Sequence, residues 1–197
     1  MAEGPRNTGA RTGAARRRIL EAAARRFYAD GIAATGIDAI TADAGVAKMS
    51  LYNNFASKSA LVSATLEARH AEWLALYARR ARRAADPITR TLAVFDAYLD
   101  QAALAPDSGY RGDALLNAAA ELPLGDPGRE VVRRHSAEVD GILTASLREL
   151  TDRVRAERTA QLLSSVLHGA LARSGLDADR RRLREARALA LDLLASP

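Results

Sequence analysis

Apolar residues recur at spacings of three and four along most of the chain, and no stretch of useful length alternates apolar with polar, so the pattern predicts helices and no sheet. Ile19, Leu20, Ala23 and Phe27 share one face of a first helix that Thr12 would cap and Asp30-Gly31 would end. Ile37, Ile40 and Ala44 mark a second helix. Its start, Thr35 followed three residues later by Asp38, reads as a capping box with Asp where Glu or Gln is usual. Gly45 stands where left-handed backbone is needed, and Val46 can tuck into the corner that results. The next segment, about Ala47 to Asn54, then completes a helix-turn-helix outline. At about 100° per residue with Leu51 inward, Ala47 and Phe55 fall on the buried side, while Met49, Ser50, Tyr52 and Asn53 point away.

Ser57 caps a fourth helix that can run to about Arg83 before Asp86-Pro87 stops it, a rod of roughly 40 Å carrying Trp73, Leu76 and Tyr77 in its far half. A fifth begins at Pro87 with Ile88, Leu92, Phe95 and Leu99 on one stripe. After the loop APDSGYRG comes a short sixth, DALLNAAAEL, ended by PLGDPG. The seventh, about Arg129 to Leu150, carries Val131, Val132, Val139, Ile142, Leu143 and Leu147. The eighth, about Ala156 to Ser174, would be ended by Gly175, and a ninth, about Asp179 to Ala195, sets apolar positions against an arginine-rich side. The fold class is therefore all-α, with about nine helices.

The outward face of the third helix is amide, hydroxyl and phenol, with a methionine able to meet a thymine methyl and no acidic residue of its own. The only two lysines of the chain, Lys48 and Lys58, flank it and suit phosphate neutralisation.

From Ile19 to Leu61 the sequence ILEAAARRFYADGIAATGIDAITADAGVAKMSLYNNFASKSAL is similar, without gaps, to the DNA-binding region of the tetracycline-repressor (TetR) family of one-component regulators. The resemblance implies that Thr35 and Lys48 touch the sugar-phosphate backbone and that Tyr52 packs on phosphate or a base methyl. Ser50 and Asn53 would reach base edges or nearby phosphates, and Lys58 would hold phosphate at the next helix start. Ala47 departs from the family, which usually has a capping Ser there, so a cap worth about 0.5 to 2 kcal/mol is missing. Met49 replaces a usually small residue, and Asn53 and Asn54 stand where His or an aromatic is common, so the operator sequence does not carry over.

A second, shorter resemblance runs through YRGDALLNAAAELPLGDPGREVVRRH and LLSSVLHGAL, similar to the regulatory domain of one TetR branch in which the position of Asp113 is often Cys. By that resemblance Trp73, Tyr77, Phe95, Tyr98, Tyr110 and Asn117 surround a small-molecule effector pocket, while the same aromatics could equally fill a core. The last two helices would pair with their copies in a homodimer through Leu163, Leu167, Ala170, Leu171, Ala186, Leu189 and Leu193, while a monomer could equally use those residues for its own core. The organisation expected is a disordered tail at 1–10, a three-helix DNA-binding domain at 11–56, and a helical ligand-binding and dimerisation domain at 57–197.

The formal charge of +5 fits a nucleic-acid partner only weakly, since arginine-rich composition has other causes. Arg11, Arg16, Arg17 and Arg18 read either as a basic arm on DNA or as a solvated helix end. With no cysteine there is no disulfide, thiol nucleophile or thiolate metal site. No run approaches the ~20 apolar residues of a membrane span and no signal-peptide core is visible, so a cytoplasmic location without membrane contact is expected. Glu67 and His70 form an E-x-x-H that could suggest a helical di-metal enzyme, yet the second such pair is lacking, His135 and Glu138 run the other way, and a surface pair is the preferred reading. His168 reads as a hydrogen-bonded core or interface residue. No enzyme and no cofactor are expected. The sequence points to a ligand-responsive regulator, most simply a repressor on a palindromic operator; the alternative is an architectural DNA-binding dimer without effector response.

Overall fold

The computed structural model describes residues 8–104 and 109–195, and every regular element among them is helical. The helices are α1 (Thr8–Asp30), α2 (Ile37–Ala44), α3 (Lys48–Asn54), α4 (Lys58–Ala81), α5 (Pro87–Ala103), α6 (Ala114–Glu121), α7 (Pro127–Leu147), α8 (Arg153–Asp177) and α9 (Arg181–Ala195). The expected tail at residues 1–7 and the loop at 105–108 lie outside the described residues.

Caps explain most of the boundaries. Ser57 accepts from the Ala60 amide, Asp86 from Thr89, Asp113 from Leu116, Asp126 from Gly128 and Asp152 from Val154 and Arg155, each satisfying amides that a helix start leaves free. Gly45 takes φ 60 and ψ 44 and returns its amide to the α2 carbonyls, so the left-handed corner expected between α2 and α3 is present.

Three boundaries differ from expectation. The first helix begins at Thr8, so Thr12 is inside it and residues 8–10 are helical rather than part of a tail. Thr35 does not cap α2: Gly36 occupies the cap without a side-chain bond, and the Thr35 hydroxyl turns back to donate to Gly31 O at 2.6 Å, the local competition that short hydroxyl side chains offer. Gly175 does not end α8, which continues to Asp177 and closes on a left-handed Ala178 with φ 50. At Gly175 the missing side chain gives room, because a Cβ would lie 3.1 Å from Arg111 O and 3.2 Å from Gly112 Cα.

The apolar side chains form three clusters, and α4 contributes to all of them. Leu61 packs with Ile19, Ala23, Ile40, Ala44, Leu51 and Phe55 under the helix-turn-helix. Val62 and Leu66 meet Ile32, Leu115, Leu122, Val131 and Val132 in a joint where the α1–α2 corner rests on α6 and α7. Trp73 and Leu76 belong to the main core with Phe95, Tyr98, Val139, Leu143, Leu163, Leu167 and Leu183. A single straight element crosses from reader to bundle, so a tilt at one end displaces the other.

Candidate nucleic-acid interface and regulatory cleft

Helix α3 is held from below. Leu51 is fully buried and Phe55 nearly so, while Met49 is 70% and Tyr52 45% exposed, an inversion of the usual apolar preference that leaves these two side chains facing solvent. Lys48 and Asn53 are exposed beside them, and Ser50 is half-buried. Asn54 donates to Ser50 O at 2.8 Å and so folds back along its own helix. Ala47, expected on the inner side, is instead the exposed N-cap residue, since its backbone is extended and lies outside the helical rotation.

Charges outside α3 fix its angle. Arg26 grips Asp43 through two bonds of 2.6 and 2.9 Å, tying α1 to α2. The Arg16 guanidinium sits 5.1 Å above the Phe55 ring and pins the end of α3 by a cation–π contact. Arg17 lies 3.9 Å from Glu21, and the side chain of Arg11 falls outside the described residues. Lys48 is bonded to Asp38 of α2 at 2.7 Å, so the reader face has an acidic neighbour that inspection of α3 alone had not revealed. A phosphate would have to displace that exposed carboxylate, which costs little. Thr35 is 3% exposed with its hydroxyl occupied, so its side chain supports the corner and is not part of the accessible surface. Lys58 is half-buried at the first turn of α4.

A second feature lies in the bundle, a small cleft open to solvent. Its walls come from distant parts of the chain: Tyr28 of α1, Arg69 of α4, Tyr98 and Gln101 of α5, Tyr110, Gly112 and Asp113 of the segment before α6, and Leu171 of α8. Of the aromatics expected to line a pocket, Tyr98 and Tyr110 do so. Trp73 and Phe95 are core residues, at 0% and 1% exposure, and Tyr77 stacks on Trp73 with centroids 5.7 Å apart. Large side chains fill the interior because they gain most from leaving water, which leaves fewer for the wall. Asn117 donates to Arg111 O at 2.8 Å and borders a neighbouring hollow beneath α1. Tyr28, Arg69 and Gln101 carried no signal in the sequence, since nothing local shows that they converge.

The cleft wall is also bolted to the reader. The Tyr28 hydroxyl accepts from Arg111 N at 2.6 Å and donates to Gly112 O at 3.1 Å, and burial raises its pKa. The Arg111 guanidinium donates to the carbonyls of Tyr28 and Ala29, groups that the end of α1 leaves unpaired. Glu121 at the far end of α6 accepts from the Ala33 amide at 2.9 Å. Helix α6 and the segment before it therefore clamp the α1–α2 corner at both ends.

His70 corrects the reading of Glu67 and His70 as a surface pair. Glu67 is exposed and bonded to Arg134 at 2.5 Å, whereas His70 is 8% exposed and faces His135 with Nδ1 atoms 3.0 Å apart, because α7 packs over that side of α4. Among the described residues no group of His, Cys, Asp and Glu is arranged to hold a metal ion. His168 donates from Nδ1 to Ser164 O at 2.8 Å within α8.

The expected dimer positions are also divided. Leu163, Leu167, Ala170, Leu171 and Ala186 are buried in their own subunit's core and present no surface to a partner. Leu189 and Leu193 are exposed, at 46% and 37%, and Leu162, at 49%, is the outward neighbour of Leu163.

An exposed recognition helix on a buried scaffold, joined by one rod to a helical bundle with a cleft, defines a helix-turn-helix regulator that binds DNA. The profile described as "Bacterial regulatory proteins, tetR family" matches residues 19–65. A putative TetR transcriptional regulator from Streptomyces avermitilis is 31% identical, with 93% of this chain and 99% of that one covered and a TM-score of 0.75. A TetR-family regulator from Streptomyces coelicolor is 28% identical over 93% of this chain and 97% of that one, with a TM-score of 0.81. A TetR regulator from Chloroflexus aurantiacus shares the fold at a TM-score of 0.81 and 23% identity, covering 95% and 97%. No curated protein matches the chain at a significant level. The chain belongs to the TetR family of bacterial transcriptional regulators. Among the described residues no helix is long and apolar enough to cross a membrane.

Proposed function

We propose that the protein is a ligand-responsive repressor that reads a palindromic operator as a homodimer and leaves it when a small molecule enters the cleft. The solvent-facing surface of α3 carries this reading: Met49, Ser50, Tyr52 and Asn53 supply base-edge and methyl contacts, with Lys48 and Lys58 for phosphate. Residues 11–56 act as the reader and 57–197 as the regulatory and dimerising part. Two copies place their α3 helices in successive major grooves, roughly 34 to 36 Å apart. A ligand against Tyr110 and Asp113 moves the segment whose neighbours Arg111 and Gly112 hold α1, and changes that separation. The coupling expected is about 1 to 3 kcal/mol, and ligand and DNA weaken each other equally.

Selection of bound genomic fragments, followed by titration of two variants, tests the reader. Asn53→Ala changes which operator is preferred, losing about 1 to 3 kcal/mol at the base it contacts. Lys58→Ala weakens all DNA alike and lowers the salt slope by about one. If both variants only scale affinity, base readout is refuted and an architectural DNA-binding dimer is favoured.

The exposed apolar faces of α8 and α9 supply the dimer contact, through Leu162, Leu189 and Leu193. Leu189→Glu places a charge in that contact and converts the dimer to monomer in sedimentation equilibrium, with a loss of operator affinity. A variant that stays dimeric moves the interface elsewhere.

A further inference from the structure

The cleft contains a buried carboxylate without an ion-pair partner among the described residues. Asp113 is 8% exposed, and its Oδ1 accepts from the Leu116 amide at 2.8 Å. Among the described residues no ion pair reaches it, and Arg69, the guanidinium on the cleft wall, is bonded to Glu72 at 2.7 Å. Burial pushes the Asp113 carboxyl above its usual range, against the pull of the Leu116 and Leu115 amides and the weaker pull of His168 and Arg69 at longer range. The same negative charge adds to burial in raising the pKa values of Tyr98 and Tyr110, so both phenols stay protonated beside it. The amides at the start of α6 relieve the carboxylate in part, and Asp113 itself lines the cleft.

Resting on the reading of this cleft as an effector site, we propose that its ligand is a small organic cation, whose positive group sits on Asp113 and whose apolar body lies against Tyr98, Tyr110 and Leu171. A neutral body in the cleft would drive water from the carboxylate without replacing it, which raises the cost of a buried charge. An anion would face that charge directly and would have to take Arg69 from Glu72. A cation compensates Asp113 and gains the negative faces of the tyrosine rings.

The test uses the full-length protein and a matched pair of fluorescent probes, the dimethylaminostyryl-N-methylpyridinium dye and its unmethylated pyridine parent, at a pH where the parent is uncharged. The dye binds the wild-type protein more tightly than the parent. Asp113→Asn keeps a side chain that caps α6 well and removes only the charge; it lowers dye affinity about tenfold or more and leaves the parent unchanged. Equal binding of the two probes to the wild type, or failure of both to bind, overturns the proposal without recourse to the variant. So does a dye affinity that Asp113→Asn leaves intact while circular dichroism shows the variant folded. A gel shift with a selected operator fragment separates this inference from the one beneath it. Dye binding that depends on Asp113 but never releases DNA removes the effector reading and keeps the cation site. Release of DNA by the uncharged parent alone does the reverse.

Discussion

Gly112→Ala destabilises the protein by about 2 to 4 kcal/mol and disconnects the cleft from the DNA reader. Gly112 holds φ +87, a conformation that a side chain strains, and a Cβ built there lies 2.9 Å from Gly175 Cα and 3.6 Å from Leu171 O. Those atoms are α8 backbone, held by the hydrogen bonds of the helix, so the loop yields and the helix stays. Lifting the loop pulls Gly112 O from the Tyr28 hydroxyl and the Arg111 guanidinium from the last carbonyls of α1. Urea denaturation measures the first effect, and ligand-induced release of operator DNA measures the second. Gly109→Ala is the control, because Gly109 also has a positive φ of 97 but meets nothing within 4 Å. If the two variants are equally impaired, backbone strain alone is responsible and the close passage of the loop over α8 has no special part.

Acid destabilises the protein through His135. A chain of hydrogen bonds crosses the core from the cleft wall: Tyr98 Oη lies 2.8 Å from His135 Nε2, the two histidine Nδ1 atoms are 3.0 Å apart, and His70 Nε2 is 3.3 Å from Glu138. With one proton on each ring, a single direction satisfies it. His70 donates from Nε2 to the carboxylate, His135 donates from Nδ1 to His70, and Tyr98 donates to His135 Nε2. A further proton on His135 would break this order. Burial, with the nearby His70 and His168, lowers the His135 pKa to about 4. Since the folded value lies below the unfolded one, the stabilisation is complete above about pH 6.5 and is lost as pH falls toward about 4. The loss is about 3 kcal/mol. Asp113, whose pKa is raised by burial, acts in the opposite sense, so the wild-type slope understates the histidine contribution. Thermal melts of wild type and His135→Gln between about pH 7 and pH 4.5 isolate it. The variant has the lower Tm at neutral pH and the flatter profile, and parallel profiles would assign the acid sensitivity to other groups.

The reader was legible because the signals that define it are local. Gly45 at a left-handed corner, Leu51 and Phe55 inward, and Met49 and Tyr52 outward all follow from spacing within some twenty positions, and the structure places them accordingly. The exceptions, Thr35 and Ala47, are at helix starts, where one hydroxyl chooses between carbonyl and amide partners that spacing cannot rank.

The dimer positions show the limit of periodicity. Helix α8 carries leucine, valine, alanine and serine on several sides, so its inward face is poorly marked: Leu163, expected at the interface, is buried, and Leu162 beside it is exposed. The cleft was less legible still. Tyr98 and Tyr110 were expected there only by resemblance, whereas Tyr28, Arg69 and Gln101 come from separate parts of the chain and each alone looks like an ordinary helix residue.

Sequence by itself determined the all-helical class, the helix-turn-helix and the outward set on α3, since backbone conformation and face periodicity are set by neighbours a few residues away. Tertiary structure alone decided which aromatics fill the core, which carboxylate is left buried without a counter-ion, and that Arg111 and Gly112 grip the end of α1. Those outcomes depend on how the helices cross, and hence on contacts between residues far apart in the chain.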